Sequence, residues 1–148
     1  MWDPIIYDCK SFPAEEFGSG LVREVQLIVS PETTGDHRIR LVRTTVPAGA
    51  VSESHIHPDA DEYIIFDIPG VAVLDGVEYH VPEGGMVHAI KGVNHECRNT
   101  DPERTLTLWC VFVPAFEPYG KYPELIQKTI AYLEESQKSS PVLLHSDR

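Results

Sequence analysis

Cysteine is scarce in this chain of 148 residues: Cys9, Cys97 and Cys110 are an odd number and show no C-x-x-C spacing. That excludes a disulfide framework and a structural zinc cluster and reads as reduced, buried thiols. No apolar run approaches the roughly 18 residues that a membrane-spanning helix needs. Basic side chains are few, 12 Lys and Arg against 23 Asp and Glu, which leaves a formal charge of −11. A surface of that sign repels phosphate backbones and anionic headgroups, so neither nucleic acid nor a membrane is an expected partner. The opening Met1-Trp2-Asp3-Pro4 lacks the basic, apolar and small-residue succession of a secretory signal, and the expected location is cytoplasmic.

What is present is the material of one domain: 42% apolar residues in a length typical of a single core. From residue 5 to residue 113, short apolar or alternating stretches are broken by Gly, Pro and Asp, the pattern of an all-β barrel or sandwich. The expected strands are Ile5–Tyr7, Leu21–Val29, Arg38–Val46, Tyr63–Ile68, Val71–Leu74, Glu78–Val81, Met86–Ile90, His95–Arg98 and Thr105–Val113. Pro69-Gly70 suits a type II turn with glycine at positive φ, and Asp75-Gly76 suits a tight hairpin. After Val113 the pattern changes. Pro123 and Glu124 open a helix over 123–135, in which Leu125, Ile126, Ile130 and Leu133 share a face. The single domain is expected to span 1–136, with a mobile tail over 137–148.

Three of the seven histidines fall in a pattern with chemical meaning. His55 and His57 are two residues apart, so in extended backbone both imidazoles project to one side. Glu62 follows a short turn that brings the next strand back beside the first. His95 opens a later strand, where a closed barrel would bring it opposite. Three neutral imidazoles and a carboxylate suit one divalent transition metal: Fe, Mn, Ni or Zn. The H-x-H pair taken alone reads equally well as exposed histidines on a strand edge.

The fuller text is more specific. Gly49, His55, His57 and Glu62 resemble the first cupin motif in type, order and spacing, and Gly84, Gly92, His95 and Asn99 resemble the second; the resemblance covers residues 38–113. It implies an all-β fold, a double-stranded β-helix or jelly-roll barrel with a C-terminal α-helix added, holding a metal on His55, His57, Glu62 and His95. Two departures are a glycine displaced by one residue, with Pro69 ahead of Gly70, and Ile90 in the place of a proline. Neither removes a ligand. Asp61 precedes Glu62 and competes for the ligand role, but the motif spacing favours Glu62.

Alternation from Glu62 turns Ile64 and Phe66 inward as an apolar wall for a substrate pocket, and alternation from His95 does the same for Cys97 and Asn99, although Asn99 also suits a turn-stabilising role. Arg38, Arg40 and Arg43 precede the first motif, and an inward arginine there, with Arg43 taken for the substrate pocket, would clamp an anionic group. Tyr79, His80 and His88 belong to the pocket mouth or the surface. The resemblance implies a metal-dependent enzyme acting on a small organic molecule, with Fe(II) dioxygenase chemistry leading. The alternatives are a redox-neutral isomerase, epimerase or lyase that uses the metal as a Lewis acid, and a metal-containing binding module without turnover. Within the first alternative Glu78, Tyr79 or His88 would act as the base. A homodimer is expected, because small cupins commonly pair and the strand Leu21–Val29 would otherwise expose an edge.

Overall fold

Alternating burial organises most strands between Arg40 and Val113. The computed structural model describes residues 6–18 and 23–139. A short 3-10 turn, Cys9–Ser11, leads into β1 (Ala14–Phe17), β2 (Arg23–Val29), a one-turn helix α1 (Pro31–Thr34) and β3 (Arg40–Val46). Then come β4 (Asp61–Phe66), β5 (Gly70–Leu74), β6 (Val77–Val81), β7 (Met86–Ala89), β8 (His95–Arg98), β9 (Leu106–Val113) and the helix α2 (Tyr122–Ser139). Along β3 and β9 every second residue is buried, so each strand offers one row of side chains to the core.

The strands form two antiparallel sheets, one ordered β1-β2-β3-β9-β4-β7 and one ordered β6-β5-β8. Leu27, Val42, Ile64, Leu106 and Leu108 from the large sheet meet Ala72 and Cys97 from the small one in a single core. The result is an all-β jelly roll with one C-terminal helix. Its two sheets do not close into a continuous barrel. The segment between β3 and β4 instead joins the small sheet through single bridges, Val51 to Arg98 and His55 to His95. Helix α2 buries Leu125 and Ile126, and Lys128 ties it to Glu15 of β1.

Several expectations are corrected. Ile6 and Tyr7 belong to no strand; Ile5, Leu21 and Val22 lie outside the described residues. The strand that precedes β2 is Ala14–Phe17, whose Glu15 and Glu16 suppress the apolar signal, a composition suited to an edge strand. Because β1 pairs with β2 along Ala14↔Gln26 to Phe17↔Arg23 and β3 covers its other side, the edge of β2 is taken over Arg23–Gln26, and the edge argument for a dimer narrows to Leu27–Val29. Gly70 does not sit at positive φ. It opens β5, where a β-carbon would stand 2.7 Å from the Arg98 carbonyl oxygen, so the glycine answers a close approach between strands rather than a turn. The Asp75-Gly76 hairpin has φ of 47° and 82° at its two central residues, as a type I′ turn requires. The helix runs on to Ser139, three residues into the segment expected as a tail, and residues 140–148 lie outside the description.

Candidate metal centre

His55 and His57 sit on an extended segment, not within a regular strand. His55 exchanges two backbone hydrogen bonds with His95, at 3.0 and 2.9 Å, and the His57 carbonyl accepts from the amide of Gly92 at 3.0 Å. This pinning preserves the alternation: Ile56 points out while His57 is buried. Gly92 has φ of 85°, a conformation that glycine adopts without strain, and the turn it makes delivers His95 to β8. Glu62, second residue of β4, lies between β7 and β9 in the register Glu62↔Ala89 and Glu62↔Phe112. Three separate stretches of chain thus converge.

The ligating atoms of His55, His57, Glu62 and His95 all lie within 4.8 Å of one another. The ring centroids are 4.9 Å apart for His55 and His57, 4.3 Å for His55 and His95, and 5.5 Å for His57 and His95. Donors sharing an ion about 2.1 Å away stand at most about 4.2 Å apart, so a contraction of a few tenths of an ångström closes the shell. His55 donates its Nδ1 proton to the Glu53 carbonyl at 2.8 Å, and His95 donates its own to Val93 at 3.1 Å, which leaves Nε2 of each ring turned to the centre. His95 Nε2 is 2.8 Å from Glu62 Oε1. His57 Nε2 is buried without a hydrogen-bond partner among the described residues, 3.5 Å from the same oxygen. A buried polar atom of this kind needs a partner, and a cation among three imidazoles and a carboxylate supplies one. The residues fit one divalent metal.

Electrostatics point the same way. Burial pushes the His55 pKa down to about 4, helped by the charge of His95, and burial likewise lowers His57. Both rings are therefore neutral and able to ligate at neutral pH. Burial acting alone would raise Glu62 and lower His95; their mutual hydrogen bond and opposite charges outweigh it, so Glu62 is lowered and His95 raised. The Glu62 carboxylate is thereby kept ionised in a fully enclosed position.

The cluster opens on a cavity of about 30 Å³, lined also by Arg23, Val25, Thr44, Ile64, Cys97 and Tyr119. Ile64 is where alternation places it. Phe66 is not in this lining; it is buried in the core against the backbone of Gly70. Arg43 is also elsewhere, because the buried row of β3 is Arg40, Val42, Thr44 and Val46. Its guanidinium bonds Gln26 Oε1 at 2.6 Å and lies over Trp109. Arg40 is buried but engaged with Glu32 and the Phe116 carbonyl, and Arg38 pairs with Asp36 at the surface. Asp61 faces away, bonded to His88 and the Lys91 amide. Asn99 ties the turn between β8 and β9, donating to the carbonyls of Val46, Pro47 and Arg104. Tyr79, His80 and His88 are exposed.

Sequence reasoning missed Arg23 and Tyr119. For Arg23 a signal exists, since Arg23, Val25 and Leu27 alternate, and the two apolar members of that row are fully buried. Tyr119 stands in an irregular segment where no periodicity applies.

No family model matches the sequence, and no curated protein matches it. Solved structures do. A predicted oxalate decarboxylase from Thermotoga maritima superimposes with a TM-score of 0.65 at 18% identity, covering 74% of this chain and 99% of its own. KdgF from Halomonas sp. follows at 0.60 and 15%, over 77% of this chain and 94% of its own. An RmlC-like cupin from Shewanella frigidimarina gives 0.59 and 19%, over 74% and 89%. With the two motifs on the converging strands and these neighbours of matching architecture, the fold of this chain is the cupin fold.

Proposed function

We propose that the protein is a metal-dependent enzyme acting on a small organic molecule, with O₂-dependent chemistry on Fe(II) as its reaction class. The observation that carries the metal is the buried His57 Nε2, unpartnered beside two Nε2 atoms and an ionised carboxylate. When bound there, a divalent iron supplies coordination positions for a small molecule and for O₂, and the electrons that O₂ chemistry requires. The chain does the rest. His55 and His95 are held in the ligating tautomer by the carbonyls of Glu53 and Val93. Ile64 and Val25, with Phe112 and Tyr122 alongside, give the cavity a largely apolar wall.

The redox-neutral alternative needs a base that moves a proton, and the bases expected for it, Glu78, Tyr79 and His88, are exposed and stand outside the cavity lining. Among the described residues the other titratable side chains that line it are Arg23, Cys97, Cys110, Tyr119 and Tyr122. Burial raises both thiols and both phenols, which keeps them protonated. None is a ready base near neutral pH, which counts against the redox-neutral reading and leaves the O₂ reading beside that of a binding module without turnover.

The test is metal analysis of protein purified without chelators or an affinity tag, followed by O₂ uptake with panels of small acids, alcohols and sugars. Iron near one equivalent with substrate-dependent uptake supports the proposal. Manganese or zinc with turnover but no uptake replaces it with the redox-neutral reading. Protein that takes up no metal overturns it.

A further inference from the structure

We propose that Arg23 is the substrate clamp of this site and that it selects a short carboxylate, held between the guanidinium and the metal position. The inference rests on the metal reading above and deepens it by naming the class of substrate.

The cavity carries few charges. Among the described residues that line it, Arg23 and Glu62 are the ones, besides the three histidines, that carry a formal charge. Glu62 is committed to the imidazoles, 2.8 Å from His95 Nε2. Arg23 keeps one nitrogen uncommitted: its Nη1 is buried and has no hydrogen-bond partner among the described residues. A guanidinium nitrogen cut off from water and from any acceptor is costly, and proteins retain one where a ligand completes it. The Phe17 ring stands 5.7 Å from the guanidinium carbon and braces the group from the side. The planar fork of arginine matches the two oxygens of a carboxylate.

Charge and size then select the ligand. A divalent ion, one glutamate and one arginine leave the cavity with a surplus of positive charge inside a protein of net charge −11. An anion entering there is held by both cations, whereas a neutral isostere gains neither. The cavity of about 30 Å³ is small, which favours a short acid over a sugar-sized ligand.

The experiment uses full-length protein loaded with Mn(II), with metal content measured before and after calorimetric titration with malonate, its neutral isostere malonamide, and inorganic phosphate. Wild-type protein is expected to bind malonate at least about tenfold more tightly than malonamide or phosphate. Arg23→Met should lose at least about tenfold in malonate affinity at unchanged metal content, and Arg23→Lys, which keeps the charge but not the fork, should fall between. Unchanged affinity in Arg23→Met overturns the clamp and leaves the metal reading standing; should that variant fail to fold, wild-type affinity in Arg23→Lys overturns it equally. Malonamide or phosphate binding as tightly as malonate overturns the carboxylate assignment. If wild-type protein takes up no metal, the metal reading is what fails, and malonate titrated onto the metal-free proteins decides the clamp: binding lost in Arg23→Met sustains it, and binding that is absent or indifferent to Arg23 ends it.

Discussion

His57 is the side chain whose position most needs an ion. It is buried against the rings of Phe112 and Phe116, at 4.8 and 5.5 Å between centroids, while its Nε2 has no hydrogen-bond partner among the described residues. Replacing it with alanine removes one of four donors and leaves the apolar core in place, so metal affinity is expected to fall by at least about 10- to 100-fold while urea unfolding remains cooperative. His37 and His80 are exposed and outside the cluster, and their alanine variants should retain full metal content by elemental analysis. Equal metal in His57→Ala and His37→Ala would sink the site. A second residue ties stability to pH. Asp101 accepts from the Arg104 and Glu103 amides, each at 2.8 Å, and from Arg104 Nε at 2.7 Å, and these bonds hold its pKa at about 2 against an ordinary 3.8. The folded-state pKa lies below the unfolded one, so the stabilisation is present above about pH 4 and is lost as pH falls toward about 2. The difference in urea midpoint between wild type and Asp101→Asn should therefore shrink across that window. A constant difference from pH 5 to pH 2 would refute the assignment.

At the scale of elements, the site depends on how closely β5 and β8 approach. Gly70 stands where a β-carbon would meet the Arg98 carbonyl oxygen at 2.7 Å and the Phe66 ring at 2.9 Å. Backbone on one side and a fully buried ring on the other leave nothing that gives way easily. Gly70→Ala is expected to destabilise the protein by about 1–3 kcal/mol in urea unfolding, with a measurable loss of metal affinity as well, because β8 carries His95. A stability within ~0.5 kcal/mol of wild type would show that the strands can part without cost. The β5–β6 hairpin needs Asp75 and Gly76 at positive φ for a different reason, the twist of a two-residue turn, and it presents an outward row of exposed residues from Val77 to His80.

For the whole molecule, the pairing of β1 and β3 on either side of β2 moves the question of assembly to the ends of the large sheet. Among the described strands β1 and β7 are the terminal ones. β7 carries the exposed Met86, whose register partner in β4 is Ile65, also exposed. Such an edge with apolar side chains is what a second copy covers in small β proteins, and a homodimer remains our expectation. Light scattering should return twice 16.6 kDa at micromolar concentration; a mass of 16.6 kDa would remove the expectation.

The all-β class, the 123–135 core of the helix, the tight hairpin and the four converging residues were readable in one dimension, because period-two alternation, Asp-Gly turns and motif spacing are local codes. Arg43 and Phe66 were misplaced for the same reason. Alternation states which residues share a face, but not which end of the sandwich they occupy: Phe66 lies on the inward face of β4 with Glu62 and Ile64, yet two residues too far along to line the cavity. Local text also could not show that a charged segment, Ala14–Phe17, becomes a strand once β2 offers it hydrogen bonds. Least readable was Arg23. Its alternation with Val25 and Leu27 marks an inward row, but only the approach of β2 to the histidine segment and to Tyr119 turns a strand arginine into an unpaired guanidinium nitrogen beside a metal position. Ligand identity is written in spacing, whereas what a ligand set acts upon is decided by side chains from remote strands, which meet only when the sheets pack.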